Sequence, residues 1–208
     1  TKTTEKLPLK GFVFCSFNNS YKITSQEFNI WMPILEEIEG SVLWLLKSNP
    51  WAESNIKEEA QKRAVDPKRI IFADKLPHKE HLARHRLADL FLDTFNYNAH
   101  TTASDALWAG LPLVTKKGKG FAARVAASLL NAIDLPELIT DNNKDYQLLI
   151  LDLARNPNKL KRIKEKLNKH RLIKPLFNTK QYTKNLEDGY KRAYKLYANK
   201  KKKETIFI

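Results

Sequence analysis

The sequence predicts an α/β protein built around a doubly wound parallel sheet. Short apolar runs alternate with segments of helical periodicity over the first 130 residues. The apolar runs do not alternate strictly between polar and apolar positions, which is typical of strands that are buried on both faces. A repeated strand–helix order places such strands in a parallel sheet that is covered by helices.

Five strands and eight helices follow from these patterns. The strands are predicted at residues 11–17, 41–47, 69–73, 88–93 and 111–115. The helices are predicted at residues 25–39, 52–64, 78–86, 102–109, 121–130, 143–155, 157–170 and 180–199. The strand–helix alternation ends after residue 130, so the last three helices are predicted to be additions at the C-terminal end.

The last predicted helix carries a stripe of aromatic and apolar residues. They recur at steps of three and four, which places them on one helical face: Tyr182, Leu186, Tyr190, Ala193 and Tyr197. Two interpretations stay open. The helix either packs on its own sheet or crosses to another domain.

The chain is predicted to form one domain, residues 11–199, with a leader at residues 1–10 and a basic tail at residues 200–208. The leader has no initiator Met and no signal-peptide core, so we expect a piece of a longer polypeptide. No apolar run approaches the ~18 residues that a membrane-spanning helix needs, so no membrane partner is expected. The single cysteine, Cys15, is typical of a reducing compartment, and we expect a cytoplasmic location.

A formal net charge of +14 raises nucleic acid as a partner. Much of the excess lies in residues 159–174, which have helical spacing, and in the tail Lys200–Lys203. The first segment is typical of a solvated helix face. No aromatic RNA-recognition motif, zinc-finger spacing or arginine-glycine tract accompanies the charge, so a basic nucleic-acid- or protein-binding module is the second hypothesis.

The segment from Asn96 to Pro112 carries the strongest functional pattern. It leads from an apolar strand through a polar loop into a helix, and free backbone N–H groups at such a helix start bind phosphate. His100, Thr101, Thr102 and Asp105 lie in this turn. The alternative is a capping box, because residues 102–105 match the pattern [ST]-x-x-[DE].

Two further polar clusters follow predicted strands. The first contains Asn19 and Lys22, and a lysine there would meet a diphosphate as a point charge, unless it is a solvated surface residue. The second contains His78, His81, Arg84 and His85. The histidines could hold a metal, but no carboxylate or Cys converges with them, so no metal site is predicted. A histidine at this edge can instead stack on a flat base, with Arg84 facing the phosphates, and a solvated helix face is the remaining alternative.

Several motifs resemble the O-GlcNAc transferase and SPINDLY family, glycosyltransferase family 41. They run in the family's order from about Gly11 to about Tyr194: FCSFNNSYKI at residues 14–23, SVLWLL at 41–46, EH at 80–81, LAD at 87–89, LDT at 92–94, AHTT at 99–102, LWAG at 107–110, RVAAS at 124–128 and LFNT at 176–179. The resemblance implies a Rossmann-like domain that forms the C-terminal half of a GT-B catalytic region. It also implies a missing N-terminal catalytic half and an upstream array of tetratricopeptide (TPR) repeats.

The same resemblance implies roles for individual residues. Lys22 would neutralise the diphosphate as the catalytic cation, with Asn19 near it, where the transferases often have Gln. His81 would lie against the uracil, with the Leu76 backbone at its edge and Arg84 close by. The remaining contacts would fall on the pyrophosphate and the ribose: His100, Thr101 and Thr102 on the former, and Asp105 on the latter. His78 departs from the Lys of the animal enzymes.

The implied activity is transfer of N-acetylglucosamine from the donor UDP-GlcNAc to Ser or Thr of proteins. Inverting chemistry without metal or cofactor is expected, and this piece alone is expected to be nearly inactive. Within the family, two alternatives stay open. One is a SPINDLY-like protein O-fucosyltransferase that uses GDP-fucose, and the other is hexose transfer to Asn.

Overall fold

The computed structural model of the chain describes residues 1–207, in which six parallel strands form one sheet. The strands are β1 (Val13–Ser16), β2 (Val42–Leu46), β3 (Ile70–Ala73), β4 (Leu90–Leu92), β5 (Leu113–Lys116) and β6 (Ile139–Thr140). Their order across the sheet is β3-β2-β1-β4-β5-β6, so the winding direction reverses between β1 and β4. The predicted doubly wound, Rossmann-like sheet is therefore confirmed.

Eight α-helices lie within the described residues. They are α1 (Ser25–Glu37), α2 (Pro50–Lys62), α3 (His78–Arg84), α4 (Thr101–Trp108), α5 (Val125–Ala132), α6 (Asn143–Arg155), α7 (Pro157–Ile173) and α8 (Thr179–Ala198). The first five connect consecutive strands, and the last three are the predicted C-terminal additions. None of the side chains of α8 is buried. No helix in residues 1–207 combines the length and apolar character required to cross a membrane.

The sixth strand was not predicted from the sequence. It contains only Ile139 and Thr140 and follows a 3₁₀ turn at Pro136–Leu138. Backbone pairing with β5 places Ile139 opposite Thr115, and the Thr140 hydroxyl donates to the Thr115 carbonyl over 3.0 Å. Two residues are too few to show a period, so tertiary pairing alone defines this strand.

The core holds a chain of buried polar contacts that reaches the site. Trp31 in α1 and Tyr146 in α6 are fully buried, and the Trp31 indole N–H donates to the Tyr146 hydroxyl over 3.2 Å. The Tyr146 hydroxyl in turn donates to the Asp93 carbonyl over 3.0 Å. Buried indole and phenol groups need such partners. The core therefore anchors the first residue after β4.

Two predicted helices differ in the structure. The helix predicted at residues 78–86 ends at Arg84 and continues as a 3₁₀ turn, His85–Leu87. The helix predicted at 121–130 begins as a 3₁₀ turn, Phe121–Ala123, because neighbouring loops take its carbonyl groups. The Asn98 N–H donates to the Ala122 carbonyl over 2.9 Å, and the Gly118 N–H donates to the Ala123 carbonyl over 2.8 Å.

Residues near the start of the chain pack on the domain. Leu7 belongs to the buried core, with 5% of its surface exposed. The Glu5 carboxylate lies 3.7 Å from the guanidinium of Arg84, which is itself buried. The segment before β1 therefore covers part of the core beside α3.

Candidate functional site

The three polar clusters meet at one edge of the sheet. They follow β1, β3 and β4, whose carboxyl ends point the same way, and β1 and β4 flank the point where the sheet order reverses. Contacts join the clusters in pairs. The rings of Phe17, after β1, and His81, after β3, have centroids 5.2 Å apart, and the Thr102 hydroxyl, after β4, donates to Asn18 Oδ1 over 2.7 Å. His78 Nε2 lies 3.4 Å from Asp105 Oδ1. Ligands of open α/β sheets bind at this position.

Lys22 provides a fixed cation at this edge. It ends a 3₁₀ turn, Ser20–Lys22, that begins after the exposed Asn19. Its ammonium donates to the Asn98 carbonyl over 3.0 Å and lies 3.8 Å from the centre of the Tyr97 ring. Partial burial lowers the pKa of Lys22, an effect that the carboxylate of Asp93 opposes. One acceptor leaves two N–H bonds of the ammonium for an anion.

The start of α4 is open to a ligand. The helix begins at Thr101, and His100 at its N-cap makes no side-chain hydrogen bond to the helix. The capping-box interpretation of residues 102–105 is wrong, because α4 begins at Thr101 and Thr102 therefore lies inside the helix. The Thr102 hydroxyl donates to Asn18. Within residues 1–207 the backbone N–H groups of Thr101 and Thr102 have no acceptor. This turn therefore offers the free donors that an anion requires.

The ring of His100 is fixed by its neighbours. Nε2 lies 3.2 Å from the Ala122 carbonyl oxygen, so this nitrogen carries the proton that is donated. The ring centroid lies 4.8 Å from that of Tyr97. These two contacts hold the imidazole directly before the first turn of α4.

Asp105 and His78 face each other across the site. The Asp105 side chain is 18% exposed and the His78 side chain is 71% exposed. Asp105 lies one turn into α4, so its carboxylate stands beside the open helix start. A partly exposed carboxylate there can accept hydrogen bonds from a sugar diol.

His81 lies at the edge as a half-buried ring. It packs against Phe17 and stacks edge-on with His85 at a centroid distance of 4.8 Å. Burial, and after it the charge of Arg84, lowers the pKa of His81. The ring is therefore favoured in its neutral form, which suits stacking on a base. Leu76, in the loop before α3, is 41% exposed.

Arg84 does not face the phosphate position. Its side chain is 2% exposed, and one guanidinium nitrogen donates to the Asp74 carbonyl over 2.6 Å. Its charge lies 5.7 Å from the Phe17 ring and near Glu5. The expectation of an Arg84–phosphate contact is corrected by this placement. Arg84 instead holds the loop that presents Leu76.

Three buried residues of the site were missed from the sequence. Asp93 Oδ1 accepts from the N–H groups of Thr94 and Ala99 over 2.9 and 2.6 Å, and Oδ2 accepts from the Thr115 hydroxyl over 2.6 Å. Burial raises the pKa of Asp93 to about 7. The other two are Asn18 and Glu27. The available signal was position, since Asp93 directly follows the buried strand β4 and Asn18 comes two residues after β1.

Glu27 and Asn18 complete the support of the loop after β4. Glu27 is fully buried, and its carboxylate accepts from the Phe95 N–H over 2.7 Å and from the Thr24 N–H over 2.8 Å. Asn18 donates to the Thr94 hydroxyl over 2.9 Å. The loop is thus held from β1, α1 and β5 together. Among residues 1–207, no three His, Cys, Asp or Glu side chains are grouped as metal ligands would be.

Comparisons with known proteins identify the family of the chain. Residues 1–186 match the model of glycosyl transferase family 41. The chain is 37% identical over 92% of its length to the UDP-N-acetylglucosamine–peptide N-acetylglucosaminyltransferase of Caenorhabditis elegans, and 38% identical over 93% to the Arabidopsis thaliana relative SEC. It spans 17% and 20% of the lengths of these two relatives.

A solved structure gives the same result for the fold. An O-GlcNAc transferase variant from Thermobaculum terrenum superimposes with a TM-score of 0.83 at 30% identity, over 88% of this chain and 36% of the other. The family match, residues 1–186, contains all six strands and the loops of the site. The chain therefore belongs to glycosyl transferase family 41.

Proposed function

We propose that this chain is the donor-binding part of a protein O-GlcNAc transferase that uses UDP-GlcNAc. The relatives that it matches are N-acetylglucosaminyltransferases that act on peptides, and the chain spans about a fifth of their length. The remaining catalytic half, and a TPR array before it, would hold the acceptor protein. On its own, the chain binds the nucleotide weakly and transfers sugar poorly.

One observation carries the proposal. At the point where the sheet order reverses, the Lys22 ammonium bonds to the loop that leads into α4, and the first N–H groups of that helix, those of Thr101 and Thr102, are unpaired within residues 1–207. A fixed cation beside an open helix start is a site for a diphosphate. Such donors stabilise charge that grows on a departing UDP. We propose inverting transfer without metal or cofactor: the acceptor oxygen bonds to the anomeric carbon as the bond to UDP breaks, UDP leaves as the anion held by these donors, and the hydroxyl proton passes to a base on the remaining catalytic half.

The nucleoside is assigned to the other end of the site. The half-buried, neutral His81 ring and the exposed Leu76 lie in and before α3, and Asp105 faces them from α4. A flat ring and a backbone edge suit a pyrimidine, and the carboxylate suits the ribose diol. GDP therefore binds less tightly than UDP, which separates this proposal from a GDP-fucose donor.

Calorimetric titration of the chain with UDP, GDP and uridine tests the assignment. We expect Lys22→Ala to weaken UDP binding by about tenfold to a hundredfold, the effect of one charge-assisted hydrogen bond. Uridine binding stays unchanged, because uridine has no phosphate. The matched control is Lys68→Ala, an exposed lysine before β3 at the opposite edge of the sheet. Equal losses for UDP and uridine would refute the diphosphate role, and tighter binding of GDP would favour the fucosyl donor.

A further inference from the structure

A groove of about 550 Å³ adjoins the candidate site on the side of β5. We call it the Phe121 groove. Its lining includes Lys117, Phe121, Arg124, Val125, Ser128 and Leu129. The last three lie on α5, so one wall is a helix face and the other is the loop after β5.

The Phe121 groove begins where the proposed diphosphate position ends. The Phe121 ring is 76% exposed, and its centroid lies 6.2 Å from that of His100. The next residue, Ala122, accepts the hydrogen bond from His100 Nε2. A chain segment lying in the groove would therefore pass directly beside the donor site.

The segment that borders the groove carries charge of one sign, and two of its cations, Lys117 and Arg124, line the groove itself. Residues 116–124 contain four cations and no carboxylate. Lys117 pairs with Asp141 over 3.0 Å, and Lys116 donates to Asn143. Lys119 and Arg124 are exposed, and within residues 1–207 they form no ion pair. Two unneutralised cations thus flank an exposed aromatic ring, a combination that attracts an acidic segment with an apolar side chain.

The loop that carries these cations is held in place. Its Gly118 N–H donates to the Ala123 carbonyl over 2.8 Å, and a Cβ at Gly118 would lie 2.5 Å from the Ala123 Cβ. The Asn98 N–H donates to the Ala122 carbonyl over 2.9 Å. The loop therefore closes on itself and on the loop after β4. A surface fixed in this way loses little entropy on binding.

We propose that the Phe121 groove binds an acidic segment of the acceptor protein, next to the hydroxyl that receives the sugar. Carboxylates of that segment pair with Lys119 and Arg124, and an apolar residue packs on Phe121. This inference rests on the proposed function, because it gives the acceptor of the same site a chemical class. It predicts that Ser and Thr flanked by Asp or Glu are preferred.

Peptide binding to the chain tests the inference. Three short fluorescent peptides share a central Ser and a neighbouring Leu, and differ only in flanking residues, which are Glu, Gln or Lys. We expect the Glu peptide to bind about tenfold more tightly than the Gln peptide, as two exposed ion pairs allow. The difference in affinity between the Glu and Gln peptides decreases with added salt. Equal affinities for the Glu and Gln peptides would overturn the inference.

Charge-reversed variants locate the binding surface. The double variant Lys119→Glu with Arg124→Glu is expected to abolish the preference for the Glu peptide. The matched control is Arg162→Glu with Lys169→Glu, two exposed residues of α7 that form no ion pair in residues 1–207. It changes the net charge equally and keeps the preference. If both double variants lost the preference for the Glu peptide, net charge alone would attract the peptide, and the inference of a defined groove would be wrong.

Two further measurements separate this inference from its foundation. UDP titration of the charge-reversed variant should match that of the unmodified chain. If neither protein bound UDP, the proposed function would be wrong, and the peptide measurements would still test the groove. A uridine oligonucleotide that binds more tightly than the Glu peptide and displaces it would assign the groove to nucleic acid and overturn the inference.

Discussion

The Lys22 ammonium donates a 3.0 Å hydrogen bond to the Asn98 carbonyl, and this bond ties the loop after β1 to the loop after β4. It spans the point where the sheet order reverses. The same ammonium lies over the Tyr97 ring, and burial lowers its pKa. The cation is thus in place before a ligand arrives, so its stabilising effect requires no rearrangement during a reaction.

We expect Lys22→Ala in the full-length enzyme to lower kcat by about a hundredfold, with a smaller change in KM. The physical reason is that charge on the UDP oxygens grows as the glycosidic bond breaks, so a fixed cation acts most strongly in the transition state. Steady-state kinetics with UDP-GlcNAc and a protein acceptor measure both constants. A variant with unchanged kcat and raised KM would refute the leaving-group role of Lys22.

Asp105→Ala is expected to show the opposite pattern. Its carboxylate stands one turn into α4 opposite His78, where the ribose is proposed to lie. Ribose contacts stabilise ground and transition states alike, so their loss raises KM and leaves kcat nearly unchanged. The same kinetic assay reports this, with Asp66→Ala, an exposed carboxylate before β3, as the control. A fall in kcat without a rise in KM would contradict the assignment.

The fold was predictable because it depends on local patterns. Strands buried on both faces read as apolar runs, and each polar cluster directly followed one of them, so His100, Lys22 and His81 were expected at one edge. The helix start at Thr101 shows the limit of such patterns. Residues 102–105 match a capping box, but the helix begins one residue earlier, and the Thr102 hydroxyl donates to Asn18, 84 positions away.

Arg84 and Asp93 depended on packing that the sequence does not display. An arginine near three histidines suggested a phosphate contact, but Glu5 and the Asp74 carbonyl hold it inside the domain. Asp93 follows a buried strand and was noticed only as part of a motif. Its role depends on donors from Thr115 and Ala99, which come from two other segments.

Asp93→Asn should change how stability depends on pH. Burial raises the pKa of Asp93 from an ordinary value of 3.8 to about 7 in the folded chain. Its contribution to stability is therefore complete below about pH 4 and is lost as the pH rises toward 7. The difference between these two pKa values corresponds to about 4 kcal/mol of unfolding free energy. Asn cannot titrate, so the variant does not lose this contribution as the pH rises. We therefore expect the unfolding free energy of the variant minus that of the unmodified chain to increase between pH 4 and 7.

Urea unfolding at a series of pH values measures this difference. The matched control is Asp66→Asn, since Asp66 is an exposed carboxylate that caps the turn before β3. This control separates the burial of the Asp93 carboxylate from the loss of a negative charge elsewhere on the chain. A constant difference between Asp93→Asn and the unmodified chain across the range would show that the folded and unfolded states bind the proton equally at Asp93.

His85→Gln is expected to produce the opposite slope in the same pH window. His85 is fully buried against Phe17, and burial lowers its pKa from 6.5 to about 4. Its neutral form stabilises the fold above about pH 6.5, and this contribution of about 3 kcal/mol is lost as the pH falls toward 4.

Gln can still donate to the His81 carbonyl, the acceptor that Nδ1 contacts over 2.7 Å. The variant, less stable than the unmodified chain at neutral pH, should therefore approach it on acidification. The slopes of Asp93 and His85 oppose each other, so replacing either residue removes one slope and leaves the slope of the other uncompensated. If the two variants changed in the same direction, at least one of these protonation assignments would be wrong.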